Sequence, residues 1–234
     1  MTEMRAVRRW GLEGFVIVSS ILLAFAIDAA WDERQETVAA EELARGFAED
    51  LRESLLDLQG VRAYNAQKLE ASLKARDLLR SPTPTVSMDS LNTLLVQSGA
   101  TARLTPVTRS YEQLVSTGLL RRLDPDVRRA ISEWSQSQEF ARAYYESDLI
   151  EFRQNVGFPF WTRSEVAFDE MLNGFEELDL GAPRFPHDWR YLHESHELND
   201  VLAALVVLTN SAVTEYDDLE ALSMELLDLL ERRY

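Results

Sequence analysis

The feature that most constrains this chain is an apolar run near its start, from Trp10 to Trp31. The only ionisable residues between these two tryptophans are Glu13 and Asp28, each close to one end of the run. At about 1.5 Å per residue, a helix of this length covers roughly the 30 Å of a bilayer's hydrocarbon core. The run therefore predicts one membrane-spanning helix over residues 10–31, with the lipid bilayer as a partner. Its predicted membrane anchors are Trp10, Phe15, Ile21, Leu22, Phe25 and Trp31.

The same run contains small residues at helical spacing. Ser20 and Ala24 are four residues apart, as are Ala26 and Ala30. This spacing lets two helix backbones approach closely, so these four residues are candidates for packing against a second helix in the membrane. The alternative is that alanine and serine are merely tolerated in an apolar helix.

Charge around the run predicts an orientation. Arg5, Arg8 and Arg9 precede it, and acids dominate the residues just after it. The positive-inside tendency then makes residues 1–9 a cytoplasmic basic head and residues 32–234 a periplasmic domain of a single-pass protein of the bacterial inner membrane. A cleaved signal peptide is the alternative, since the sequence from Ala24 to Ala26 fits a small-x-small cleavage pattern.

Composition excludes several classes of function. The formal net charge is −16, which repels nucleic-acid phosphates, so no nucleic-acid partner is expected. The sequence has no cysteine, and therefore no disulfide, thiolate metal site or cysteine nucleophile. A phosphate-binding glycine loop, a serine nucleophile elbow and a metalloprotease motif are also missing from the sequence.

After Trp31 the pattern is helical throughout. Apolar residues recur at spacings of three and four up to about Arg80, where two prolines interrupt the helix, and either Gly46 or Gly60 is a possible bend. Shorter helices follow: one capped by Ser87 or Asp89, one opening at Thr105-Pro106, one opening at Asp124-Pro125 and ending near Val156, and one over Ser164–Met171. A final helix covers about Glu194–Arg233. The predicted fold is all-α, with the N-terminal helix continuing into an antiparallel bundle of two long helices and shorter ones between them.

Two segments resemble a known family. They are the N-terminal run through Glu36 and the segment SYEQLVSTGLLRRLDPDVRRAISEW, and the matching positions are Asp28, Trp31, Arg34, Tyr111, Leu114, Thr117 and Gly118. They are similar to a family of uncharacterised bacterial membrane proteins that have one N-terminal span and a helical domain. The resemblance implies an architecture and no reaction.

Two clusters of polar residues are candidate sites. His187, His193 and His196 lie among acids, and two of them share a spacing of three residues that zinc ligands use, but such residues also serve as helix caps. Four arginines near Asp124 either bind an anion or face the acidic C-terminal helix: Arg121, Arg122, Arg128 and Arg129. Neither cluster is assigned a role, so the sequence predicts no catalytic residue, metal site, cofactor or small-molecule substrate.

Contact with other proteins is the predicted function. A chain of this kind is expected to be a membrane-anchored, non-catalytic accessory subunit that docks on other membrane protein subunits, of which respiratory and photosynthetic assemblies are examples. The alternative is an extracytoplasmic helical-bundle sensor that acts through a partner, and an enzyme is the third class. Aromatic residues often anchor protein interfaces, and the candidate partner contacts are Phe158, Phe160, Trp161, Phe185, Trp189 and Tyr191.

Overall fold

A computed structural model describes residues 2–99, 102, 104–144, 152 and 189–234, without the side chains of residues 2–14, 16 and 144. Within these residues the chain forms six α-helices and one 3-10 helix, and no strand. The predicted all-α class is confirmed. In chain order the α-helices are α1 (Thr2–Leu79), α2 (Met88–Gly99), α3 (Arg109–Ser116), α4 (Pro125–Tyr144), α5 (Trp189–Glu194) and α6 (His196–Arg233), and the 3-10 helix Leu119–Arg122 lies between α3 and α4.

Helix α1 is continuous over 78 residues, a length of about 117 Å at 1.5 Å per residue. It passes through Gly46 and Gly60 without ending, so neither glycine divides it into two helices. The first buried residue along α1 is Ala40, and from there Ala44, Phe47 and Leu51 continue a buried stripe at spacings of three and four. The described side chains before Ala40 are exposed or only partly covered.

The two long helices, α1 and α6, run antiparallel. The side chain of Gln59 donates a 2.8 Å hydrogen bond to Glu220, while Arg52 pairs with Glu231 and Arg62 with Asp217. Residues of increasing number on α1 therefore contact residues of decreasing number on α6. These side-chain contacts therefore hold the end of the chain beside the middle of α1.

The bundle has two apolar clusters. In the first, α1, α3, α4 and the C-terminal half of α6 meet around Phe47, Tyr111 and Trp134, whose rings lie 5.1–5.8 Å apart. In the second, the end of α1 packs with α2, α5 and the start of α6. Between the two clusters lie buried polar residues of α1 and α6: Asn65, Lys68, Ser72 and Thr209.

Several helix ends follow their local signals. Ser87 accepts a hydrogen bond from the backbone N–H of Ser90 at the start of α2, as an N-cap does. Pro125 is the first residue of α4. Gly118 has a φ of 71° directly after α3, a conformation that glycine adopts at little cost and other residues rarely adopt.

Other boundaries differ from the prediction. Helix α3 begins at Arg109 and not at Thr105, and the last predicted helix begins at His196 and not at about Glu194, after the separate short helix α5. The hydroxyl of Ser195 accepts a hydrogen bond from the N–H of Leu198, which makes it the N-cap of α6. The predicted helix over Ser164–Met171 and the predicted end of α4 near Val156 lie outside the described residues.

Candidate functional site

The candidate site is the apolar segment of α1, defined here as residues 15–31. Its large apolar side chains are 51–70% exposed, whereas those of the two apolar clusters of the bundle are buried or partly buried. Successive residues of an α-helix are rotated by about 100°, so these side chains cover every side of α1 and not one stripe. They are Phe15, Ile17, Val18, Ile21, Leu22, Leu23, Phe25, Ile27 and Trp31.

Five of the six predicted anchor residues therefore lie on one exposed surface. Phe15, Ile21, Leu22, Phe25 and Trp31 all belong to the apolar segment, whereas the side chain of Trp10 lies outside the description. The small residues Ser20, Ala24, Ala26 and Ala30 are exposed in the same segment. Their role in helix packing stays a prediction.

The predicted membrane location is contradicted in the described part of the chain. None of the helices, over the residues described, is long and apolar enough to cross a bilayer. The predicted single-pass inner-membrane topology, with a cytoplasmic N-terminus and a periplasmic domain, is not retained.

An ion-pair cluster joins the apolar segment to the bundle. The guanidinium of Arg122, on the 3-10 helix, lies 2.7 Å from the carboxylate of Glu36 and 2.9 Å from that of Glu33, and Arg121 lies 3.4 Å from Glu36. The hydrogen bond from Arg122 is the main reason that the pKa of Glu36 is lowered from its usual 4.5, and the same contact raises the pKa of Arg122. These contacts tie α1 to the 3-10 helix a few residues after the apolar segment.

The described contacts of the arginines near Asp124 are with acids of α1 and with their own segment. Arg121 and Arg122 bind acids of α1, Arg129 binds Asp126 of its own helix, and Arg128 approaches a backbone carbonyl. The two interpretations of these arginines, an anion site or a surface that faces the C-terminal helix, stay predictions. Glu33 and Glu36, more than eighty residues away in the sequence, gave no local signal of their pairing with Arg122.

A row of polar residues on α1 was missed by the sequence pattern. Asp57, Ser54 and Asp50 accept hydrogen bonds of 2.8–3.0 Å from the backbone N–H groups of Thr105, Val107 and Ser110. The carboxylate of Asp50, which is only 8% exposed, thereby satisfies a free N–H in the first turn of α3. Their spacing of three and four places them on one face of α1, which is the signal that was available.

The candidate partner aromatics differ in their exposure. Trp189 is 7% exposed and packs in the second apolar cluster, and its indole N–H donates to the carbonyl oxygen of Ser81. Tyr191 is 53% exposed and remains a candidate contact. Phe158, Phe160, Trp161 and Phe185 lie outside the described residues.

The histidines do not gather into a metal centre in the described part of the chain. No group of three or more histidine and acidic residues there is arranged to hold a metal ion. The ring nitrogen Nδ1 of His193 lies 2.7 Å from the carbonyl oxygen of Leu79, so it donates a hydrogen bond to the end of α1. His187 lies outside the description.

Comparison of the chain with known protein families, with curated proteins and with solved structures finds no match.

Proposed function

We propose that this protein is a non-catalytic accessory subunit that docks on a larger protein assembly through the apolar segment of α1. The observation that carries the proposal is the exposure of nine large apolar side chains around the whole circumference of residues 15–31. A helix that is apolar on every side is normally buried, and exposed apolar patches of this extent mark interaction sites. The segment therefore requires a binding partner that surrounds it.

Helices of a host protein are the occupant that fits the segment best. Between Phe15 and Trp31 the only charged residue is Asp28, so host helices meet an almost uncharged surface. The spacing of Ser20 with Ala24, and of Ala26 with Ala30, lets a neighbouring backbone approach closely. Large side chains on the remaining sides supply the apolar area that a stable interface buries.

The bundle supports this role as a rigid base for the segment. Several of its buried polar groups form structural contacts: Asp50 and Ser54 hold the backbone at and before the start of α3, and Trp134 donates to Ser223. The ion pairs of Arg122 with Glu33 and Glu36 fix the base of the projecting part of α1. A host that binds the apolar segment thereby also positions the bundle.

The test is the size of the native assembly. We expect the tagged full chain, purified in mild detergent from cells that express it naturally, to migrate with the same partner chains in fixed proportion and at a mass far above 26.8 kDa. The double variant Ile21→Glu/Phe25→Glu introduces two charges into the apolar segment and should lose the partners while keeping its helix content by circular dichroism. The matched control Leu56→Glu/Val207→Glu adds the same charge at apolar side chains that are exposed on the bundle, and it should keep the partners.

Two results would contradict the proposal. One is retention of all partners by Ile21→Glu/Phe25→Glu. The other is binding of the purified chain to protein-free phosphatidylethanolamine and phosphatidylglycerol vesicles together with recovery of no partner chain, because a lipid surface would then be the occupant of the segment.

The second candidate function is a ligand-binding helical bundle that acts through a partner. The observation that favours it is a groove of about 480 Å³ where the end of α1 meets α5 and the start of α6. Its volume is within the range of about 300–1,000 Å³ that small-molecule sites occupy.

A further inference from the structure

The groove at the end of α1 is lined by two arginines and one carboxylate, although the chain as a whole carries a net charge of −16. Arg76 lines it from the last turn of α1, and Arg80 lines it from the residue that follows α1. His193 and His196 line it from α5 and from the first residue of α6. Leu79, Leu192 and Leu202 supply apolar walls, so the charged groups lie beside a partly water-excluded surface.

The two arginines are not used to stabilise the end of α1. The last carbonyl groups of this helix already have partners: the N–H groups of Arg80 and Ser81 donate to Asp77 and Leu78, and the imidazole of His193 donates to Leu79. Arginine side chains near a helix C-terminus often bind these carbonyls, but here the carbonyls are occupied by other donors. Among the described residues, neither guanidinium is therefore bound to these carbonyls.

Arg76 also has an unsatisfied donor. Its Nε is buried and has no hydrogen-bond partner among the described residues. A buried N–H without a partner costs free energy.

The acids nearby do not cancel this charge. Glu194 is the one carboxylate among the described residues that line the groove, and it is bound by Arg190 at 2.9 Å. The start of α6 opens onto the groove through Ser195, His196 and Asn199, so the positive end of a 38-residue helix adds to the attraction of an anion. A metal cation would be repelled by the same two arginines, which argues against His193 and His196 as ligands of zinc.

We propose that this groove binds a small phosphate-bearing molecule, with Arg76 and Arg80 as the groups that hold the phosphate. The planar guanidinium fork matches two phosphate oxygens at once, and two such forks suit a doubly charged group. Asn199 and His196 supply further polar contacts on the opposite wall. The site is independent of the apolar segment, which lies more than forty residues earlier on α1.

The test is calorimetric titration of the purified full chain with inorganic phosphate, pyrophosphate and glycerol 3-phosphate. We expect saturable binding of at least one of them, and a loss of about tenfold or more in affinity in Arg76→Gln/Arg80→Gln, since hydrogen bonds to charged groups are the strong ones. The control Arg128→Gln/Arg129→Gln removes the same charge from exposed positions on α4 and should bind as the wild type does. Circular dichroism verifies that both variants are folded.

Vesicles distinguish a free phosphate compound from a lipid headgroup. Binding to phosphatidic acid in phosphatidylcholine vesicles that depends on Arg76 and Arg80, without binding of glycerol 3-phosphate, would assign the site to a headgroup and support the same phosphate chemistry. Equal binding by the wild type and Arg76→Gln/Arg80→Gln would overturn the proposal. So would the absence of binding to every phosphate probe, or stabilisation by Zn²⁺ that is lost in His193→Gln.

Discussion

The indole N–H of Trp134 on α4 donates a 3.0 Å hydrogen bond to the hydroxyl of Ser223 on α6, inside the first apolar cluster. Ser223 in turn donates to the carbonyl of Leu219, 2.7 Å away. Both side chains are buried. A single buried hydroxyl therefore links two helices that are 89 residues apart in sequence.

Ser223→Ala is expected to destabilise the protein by about 1–3 kcal/mol, because it leaves the buried indole N–H without an acceptor. The measurement is the free energy of unfolding from denaturant titration. The double variant Trp134→Phe/Ser223→Ala removes both polar groups, so the added cost of Ser223→Ala should be much smaller in the Trp134→Phe background. Equal costs in the two backgrounds would show that the hydrogen bond does not couple these residues.

Gly60→Ala is expected to stabilise the protein by about 0.5–1 kcal/mol, because alanine has the higher helix propensity. An added Cβ at this position has no neighbour within 4 Å. Gly46→Ala is the matched comparison, since its Cβ would lie 2.9 Å from the hydroxyl of Ser110. We expect Gly46→Ala to gain less stability or to lose it, and Gly46→Ala/Ser110→Ala to recover the gain. Equal gains at both glycines would contradict this account.

Asp50→Ala is expected to destabilise the protein by about 1 kcal/mol, the usual cost of losing a helix cap. The carboxylate of Asp50 accepts the N–H of Ser110, and the N-cap residue Thr108 forms no side-chain cap of its own. Amide hydrogen exchange at Ser110 should become faster in Asp50→Ala and change less in Asp50→Asn, which keeps an acceptor oxygen. Unchanged exchange at Ser110 in both variants would show that Asp50 does not cap α3.

The lowered pKa of Glu36 predicts how the stability of the protein depends on pH. Its pKa in the folded state is lowered from the usual 4.5, mainly by the hydrogen bond from Arg122. A lowered pKa contributes stability above the unfolded-state pKa, and this contribution is lost as pH falls through the folded-state pKa. The melting temperature of the wild type should therefore fall more between pH 7 and pH 3 than that of Glu36→Gln. A larger fall in Glu36→Gln would reverse the sign and contradict the assignment.

Local signals in the sequence predicted the class of fold and several helix ends. Ser87, Pro125 and Gly118 act through their own backbone and nearest neighbours, so their positions could be read without the rest of the chain. The start of α3 was not predictable in this way. Thr105 is held outside the helix by Asp57, a residue 48 positions earlier, and such a contact leaves no trace in a local pattern.

The candidate sites also divide into features that a local sequence pattern predicts and features that depend on distant residues. The apolar segment was visible as a run of residues, and the structure leaves its described side chains exposed. The burial of Trp189 and the charge of the groove depend on how the end of α1 meets α5 and α6, and residues 76–80 and 189–199 are far apart in sequence. From the sequence alone, His193 and His196 suggested a metal site, because the proximity of two arginines to them could not be predicted.

The central claim, that the apolar segment is covered by a host protein, is tested most directly by photo-crosslinking in living cells. A photoreactive amino acid is placed at position 22 in the segment and, as a control, at position 56 on the exposed face of the bundle. The account predicts a crosslink from position 22 to one defined protein partner, and none to that partner from position 56. Crosslinks from position 22 to lipid alone, or to the same mixture of proteins as from position 56, would contradict it.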